Sequence, residues 1–147
     1  MAPKEEKVHD SPTGWVNAHI QRYVDSDGER GRRWQGVDTL LLTTRGRNSG
    51  LLRRTALIFG EDRGRYLVVA SQGGAAKHPS WYLNLVADPK VRVQVGAETF
   101  DAEARTATSR EKPRLWKLMA EIWPAYDGYQ RRTKRDIPVV ILEPTKA

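Results

Sequence analysis

Residues 37–71 read VDTLLLTTRGRNSGLLRRTALIFGEDRGRYLVVAS, and the fold turns on this stretch. Val37 to Thr44, Leu51 to Gly60 and Arg65 to Ser71 are rich in β-branched and large apolar residues. RGRNSG and EDRG separate them, and both are turn-forming clusters. A parallel connection needs a crossover of about a dozen residues or more. Connections this short therefore predict three antiparallel strands in a meander.

Downstream, Gln72 to Pro79 (QGGAAKHP) is a loop with two adjacent glycines. Pro79 to Val86 (PSWYLNLV) reads as a short helix opened by proline, with Trp81, Tyr82 and Leu85 at helical spacing. Ala87-Asp88-Pro89 ends it. Lys90 to Gly96 alternates through Val91, Val93 and Val95, and Thr99 to Ala107 through Phe100, Ala102 and Ala104. That period of two marks half-buried strands. Thr108 and Glu111 form a capping-box pattern ahead of Leu115, Trp116, Leu118, Met119 and Ile122. Trp123-Pro124 stops that helix, and Ile137 to Glu143 is a closing strand with Pro138 at its start.

Upstream, Ser11-Pro12 reads as a helix start. Trp15, Val16, His19, Ile20, Tyr23 and Val24 then form one apolar-aromatic stripe. The stripe packs on the domain, acts as a lid over a pocket, or lies as an interfacial helix near lipid. Asp25 to Gln35 is read as a mobile basic linker, and residues 1–10 as a disordered polar tail ahead of a single domain over 11–147. The expected fold is mainly β (α+β). It has about six mostly antiparallel strands in a closed or half-closed barrel, flanked by two or three helices.

A chain of 147 residues is enough for one core without staples. Absent cysteine excludes a disulfide framework, a zinc-thiolate site and a cysteine nucleophile. His9, His19 and His78 are too widely spaced to suggest a metal centre. No apolar stretch approaches the ~20 residues of a membrane span, and the first ten residues lack a signal-peptide core. A soluble cytoplasmic protein is expected. The net charge of +7 makes anions attractive partners. Seven arginines and two acids lie between Glu29 and Arg54. Arginine recognises phosphates and carboxylates with a bidentate fork. No nucleic-acid motif accompanies the charge, so no nucleic-acid partner is expected.

Three constellations can carry chemistry. In Arg45-Gly46-Arg47-Asn48-Ser49-Gly50, with Arg53 and Arg54, glycines permit a tight turn and arginines can close on an anion. The same pattern fits a solvated hairpin tip. Ala70 to Trp81 runs from a strand through small residues to a helix start, where a flat ring can stack close to backbone. Tyr126 and Tyr129 stand three residues apart, so a helical turn puts both phenols on one side. Two half-buried tyrosines at a helix end are the commoner arrangement for such a pair.

Residues 40–57 (LLLTTRGRNSGLLRRTAL), 69–95 (VASQGGAAKHPSWYLNLVADPKVRVQV) and 123–129 (WPAYDGY) together resemble the deazaflavin (F420)-dependent nitroreductase family of actinobacteria. The resemblance implies a split β-barrel of the FMN-binding type. It also implies coenzyme F420, without a metal, as donor of a hydride to an electron-poor acceptor such as a quinone, nitroaromatic, or unsaturated lactone or enone. By the same resemblance Arg47, Asn48, Arg53 and Gln72 hold the anionic tail. Ala56, Ala70, Ser71, Gly73, Gly74, Lys77, Pro79 and Trp81 surround the phosphate and ring. Ser71, Tyr126 and Tyr129 take the catalytic, acceptor-side positions, and Ile58 and Trp15 complete the substrate pocket. Asn48 and Gln72 stand where relatives often carry lysine. Ala56, Ile58 and Trp123 stand where relatives can carry proline, tyrosine and tyrosine. The alternative reading is an FMN-binding flavoprotein or a non-catalytic cofactor carrier on the same barrel. Monomer and homodimer are both compatible with the sequence, as is peripheral contact with the cytoplasmic membrane.

Overall fold

A computed structural model describes residues 7–10, 14–26, 28, 33–34 and 36–145. Its strands are β1 (Val8–Asp10), β2 (Arg33–Trp34), β3 (Val37–Arg45), β4 (Leu52–Ile58), β5 (Gly60–Asp62), β6 (Arg65–Val69), β7 (Lys90–Val95), β8 (Glu98–Thr106) and β9 (Val139–Pro144). Helices α1 (Gly14–Asp25), α2 (Ser80–Ala87), α3 (Lys112–Ile122) and α4 (Ala125–Arg132) complete a mixed α+β fold. One sheet runs β1-β4-β3-β7-β8-β9-β6-β5, with β2 added on β3 outside that path. Every pairing is antiparallel except β1 with β4.

The expected meander holds only in its first half. Strand β3 pairs with β4, from Thr39 opposite Ile58 to Arg45 opposite Leu52. Strand β6 pairs with β9 and β5 instead of β4. The long run Leu51 to Gly60 breaks at Phe59, whose ring is buried in the core. Gly60 then lets the chain pass beneath α3. A Cβ there would lie 2.8 Å from Met119 Sδ and 2.9 Å from Leu118 Cδ2. The ladder runs from β1 to β5 and is not closed by hydrogen bonds, yet β4, next to one end, and β5, at the other, are separated in the chain by one residue.

Alternation along the strands sorts the side chains. Leu40, Leu42, Val68, Val91, Val93, Ala102, Ala104, Val140 and Leu142 share one buried cluster. Leu67, Val69, Val139 and Ile141 point the other way, against Leu115, Met119 and Tyr126 of α3 and α4. Leu41 packs under Ile20 and Tyr23 of α1. Full burial of each large apolar side chain contributes roughly 1.5–3 kcal/mol. The Tyr23 hydroxyl lies 3.0 Å from Thr39 O and accepts from Gly96 N–H at 2.7 Å. One phenol thus ties α1 to both β3 and the β7–β8 turn.

Among the described residues nine strands replace the expected six, because the short pieces β1, β2 and β5 also pair. Four helices are present among the described residues, against two or three expected, because WPAYDGY opens a full helix, α4. Val8–Asp10 is not a disordered tail but lies along Leu52 to Arg54. It covers an edge that would otherwise expose unpaired backbone, and Asp10 meets Arg54 there. Within the supposed linker, Arg33 and Trp34 pair with Asp38 and Val37. The helix start at Ser11-Pro12 lies outside the described residues. The capping box forms: Glu111 N–H donates to Thr108 Oγ1 (3.2 Å) and Thr108 N–H to Glu111 Oε1 (2.9 Å).

Candidate active site

A cavity of about 890 Å³ opens between β4, the β3–β4 turn, the segment 71–81 and α4. That is the size of a cofactor or substrate site. The β3–β4 turn closes on itself, with Gly46 N–H donating to Leu51 O (2.7 Å) and Gly50 N–H to Gly46 O (2.8 Å). Its arginines take different tasks. Arg45 donates to Gly50 O at 2.9 Å and braces the turn. Arg54 forms a two-point pair with Asp10, at 2.5 Å (Nε to Oδ1) and 3.0 Å (Nη2 to Oδ2). Gln21 donates to the same carboxylate at 2.7 Å. Arg47 Nη1 donates to Asn84 Oδ1 (2.9 Å), and Arg47 N–H reaches the same oxygen (3.1 Å). Asn84 is buried on α2 and donates on to Thr44 Oγ1 at 3.3 Å. Arg53 is exposed on the cavity wall, and its side chain has no hydrogen bond or ion pair among the described residues. Arg47, Arg53 and Arg54 all border the cavity; Arg54 is taken up by Asp10, so Arg47 and Arg53 are left as the candidate anion ligands. Arg45 and Arg54 brace the walls.

Beyond β6 the backbone takes left-handed values at three residues in succession: Gln72 (φ 44), Gly73 (φ 63) and Gly74 (φ 84). Gly73 borders the cavity, and a Cβ there would meet nothing within 4 Å, so open space lies against the backbone. Gly74 instead abuts α4. A Cβ on it would lie 2.7 Å from Tyr129 O and 3.1 Å from Tyr129 Cα. Pro79 is buried, and α2 begins directly after it with Trp81 on the cavity wall.

Helix α4 supplies both phenols. The rings of Tyr126 and Tyr129 are 6.1 Å apart in an edge-to-face arrangement. Burial, and then the neighbouring Tyr129, push the Tyr126 phenol well above its usual range, so it stays a hydroxyl donor. Trp123 Nε1 lies 3.5 Å from the Tyr129 oxygen. Trp116 Nε1 donates to Asp127 at 2.8 Å and fastens α3 to α4.

Of the residues singled out from sequence, Arg47, Asn48, Arg53, Ala56, Ile58, Ser71, Gln72, Gly73, Pro79, Trp81, Tyr126 and Tyr129 border this one cavity. Ala70 and Gly74 stand behind the wall: Ala70 is fully buried and Gly74 packs on Tyr129. Lys77 is exposed and off the lining. The Trp15 side chain lies outside the described residues. Sequence reasoning missed His9 and Asp10 on β1, and the His19–Thr39 pair (3.4 Å). His19 was read as part of an apolar stripe, where an isolated imidazole carries no further signal. Asn84 and Val69 were also missed, since neither sits in a motif of ligand type. No group of three His, Cys, Asp or Glu among the described residues is placed to hold a metal ion.

Cations, open backbone and phenols on the lining of one cavity suit a small molecule with an anionic arm and a flat reactive part. That is the class of site found in oxidoreductases that bind an organic redox cofactor. The sequence profile of the F420H(2)-dependent quinone reductase family matches residues 15–144. An F420H(2)-dependent quinone reductase of Mycobacterium tuberculosis (strain H37Rv) is 38% identical over 131 residues, spanning 86% of this chain and 88% of that protein. A solved F420-H2 dependent reductase is 45% identical, with a TM-score of 0.66 over 71% of this chain and 93% of its own. A further solved structure, described as a domain-swapped dimer, is 41% identical, with a TM-score of 0.68 over 90% of this chain and 100% of its own. The chain belongs to the F420H(2)-dependent quinone reductase family. It is an oxidoreductase that uses F420 and reduces quinones.

Proposed function

We propose that the 890 Å³ cavity binds F420 lengthwise, its anionic tail toward Arg47 and Arg53 and its ring against the segment 71–81. The observation that carries this reading is that one continuous cavity joins those arginines, the open backbone at Gly73 and both tyrosines. F420H2, when bound, supplies the hydride. The protein's own contribution is to bind, orient and exclude water. Arg47 is pre-set by Asn84 through Nη1, which leaves its remaining donors for an anion. Asn48 and Gln72, at the turn and loop, add neutral hydrogen-bonding groups. Ala56 and Ile58 provide an apolar wall beside the acceptor, and Ser71 and the two phenols its polar contacts.

The tyrosines divide the acceptor work. A phenol held as strongly protonated as Tyr126 is a poor acid but a durable donor, suited to grip a carbonyl oxygen. Tyr129, half-buried and beside the Trp123 N–H, is the better placed to pass a proton to the reduced acceptor. Nitroaromatics and enones, which accept a hydride at an electron-poor carbon or nitrogen, extend the acceptor range. Three finer readings belong with this one. The sheet, with β4 and β5 nearly continuous, curls as a split barrel of the FMN-binding type. The chain pairs as a homodimer, as the domain-swapped relative does. Its +7 charge favours peripheral contact with an anionic membrane that carries the quinone. No described helix is long and apolar enough to cross a membrane.

Titration with F420, followed by deazaflavin absorbance on adding F420H2 and a soluble quinone, tests the reading. Saturable binding, lost in Arg53→Ala at unchanged fold, supports it. Protein that purifies with FMN and ignores F420 overturns it in favour of a flavoprotein.

A further inference from the structure

Arg135 sits in the connection between α4 and β9 and lies off the cavity lining. Its guanidinium nevertheless has the most concentrated set of bonds near the site. Nε donates to Ala75 O (2.8 Å), Nη1 to Ala70 O (3.1 Å) and Nη2 to Ser71 O (2.7 Å). Nη1 also lies 3.1 Å from His78 Nδ1. Three carbonyls and an imidazole, spread over nine residues of one loop, thus converge on a single planar fork. No carboxylate shares it among these partners, and burial lowers its pKa, as expected for a cation without a counter-ion. The contact with His78 needs an acceptor nitrogen, so the imidazole is neutral, with its proton on Nε2.

The geometry is that of a frame. A carbonyl drawn toward Arg135 turns its peptide group so that the amide side faces away from the guanidinium. The left-handed run at Gln72, Gly73 and Gly74 lies between the gripped carbonyls of Ser71 and Ala75. A non-glycine residue in that region costs on the order of 1–2 kcal/mol, so Gln72 needs an external hold. Arg135 is itself held: Gln130 Nε2 donates to Arg135 O (2.8 Å) and Ile137 N–H to Gln130 Oε1 (2.9 Å). Gln130 belongs to α4, one residue beyond Tyr129, and Tyr129 backbone packs on Gly74.

We propose that Arg135 is a positioning residue for the reaction: by gripping the carbonyls of Ala70, Ser71 and Ala75 it fixes the ring-side loop against the helix that carries Tyr126 and Tyr129. It sets the separation between donor ring and acceptor without touching either. This rests on the cavity being the F420 site. Hydride transfer is steep in that separation, which must approach ~3–3.5 Å.

The test uses the full chain with Arg135→Lys, Arg135→Ala and Tyr82→Phe. Tyr82 packs against His78 outside the cavity lining, and its hydroxyl lies 2.8 Å from Thr106 Oγ1, so Tyr82→Phe is a control for loss of a hydrogen bond elsewhere in the region. Lysine keeps the charge and most of the length but loses the planar fork. The expected result for Arg135→Lys is a fall in kcat of tenfold or more and a rise in KM for F420H2. KM for the quinone should move less than threefold. Arg135→Ala should lose more, and millimolar guanidinium should restore part of kcat in it, which a general loss of packing would not produce. Wild-type values in both folded variants, or in Arg135→Lys alone if the alanine variant does not fold, would overturn the proposal. So would equal losses in Tyr82→Phe. Failure of the wild type to bind F420 would instead overturn the reading of the cavity, so the two failures are distinguishable.

Discussion

The arginine turn at 45–54 and the loop at 70–78 both contribute to the wall of one cavity, and both depend on guanidinium groups. They use them in opposite ways. At the turn, Arg47 and Arg53 present charge directly to the cavity, while Arg45 and Arg54 brace backbone and Asp10. At the loop no guanidinium reaches the cavity. Arg135 stands behind the wall and holds three carbonyls. The turn is side-chain recognition on a plain hairpin. The loop is backbone recognition on a strained segment that needs a support. The difference teaches that a cluster of arginines in sequence is not a cluster of ligands in space.

The largest effect should come from closing the loop's contact with α4. Gly74→Ala adds a Cβ at φ 84, 2.7 Å from a backbone oxygen that has no freedom to retreat. Strain and overpacking together should cost about 2–4 kcal/mol. Gly73→Ala adds the same strain in open space and should cost only about 1–2 kcal/mol. Thermal unfolding of the pair checks this; equal shifts in Tm would show that contact with Tyr129 is not what makes Gly74 glycine.

Next is Asn84→Ala. It removes the acceptor of two Arg47 donors from a buried position and should cost roughly 2–3 kcal/mol of stability. F420 affinity should fall with it, because Arg47 loses its fixed direction. A destabilised variant with undiminished affinity would remove Arg47 from the anion site.

Neighbouring arginines then allow a sharper division. Arg53→Ala should weaken F420 binding by ~1.5–3 kcal/mol, on the scale of a charged hydrogen bond, with Tm nearly unchanged. Arg54→Ala should do the reverse, lowering stability by about 1–2 kcal/mol through the partly buried Asp10 pair with little change in affinity. Fluorescence titration and calorimetry on both variants settle whether adjacent positions differ as stated.

The smallest effect is in acid. The two-point pair with Arg105 and the capping amide of Thr108 hold the Glu111 carboxyl at about 2 instead of its ordinary 4.5. A depressed carboxylate contributes stability that is present above about pH 4.5 and is lost as pH falls toward 2. The Asp62 carboxyl, gripped by Arg114 and Arg65, acts in the same sense. Burial and the adjacent Arg135 cation lower the pKa of His78, so its contribution is present above pH 6.5 and is lost as pH drops below that. Stability should therefore decline in two stages, with the loop affected first. Glu111→Gln should flatten only the more acidic stage, measured by Tm against pH.

Much of the site was legible because its residues cluster in three contiguous motifs. The walls at 47–58, 71–81 and 123–129 come from segments whose small, aromatic and basic residues already mark them. His9, Asp10, His19 and Asn84 were not legible, since each reaches the cavity from an element whose own pattern is ordinary. Arg135 stands among other cations in RRTKRD, and no local pattern sets it apart. The half-buried strands at 90–96 and 99–107 followed from alternation, and the capping box from Thr108 and Glu111. The bend at Phe59–Gly60 did not, because a kinked strand and a straight one share the same alternating pattern.

By itself the sequence determined the six longer strands, the first three helices, their buried faces, and the presence of a basic turn, a glycine loop and paired tyrosines. Periodicity and turn chemistry act over a few residues and can be read locally. Tertiary structure decided which arginines meet the cavity, where β4 leaves its partner, and how β1 covers an open edge. Those outcomes depend on contacts between groups as far apart as Asp10 and Arg54 or Ala70 and Arg135. The direction a charged side chain takes is set by the partner the fold brings within reach, which no local pattern encodes.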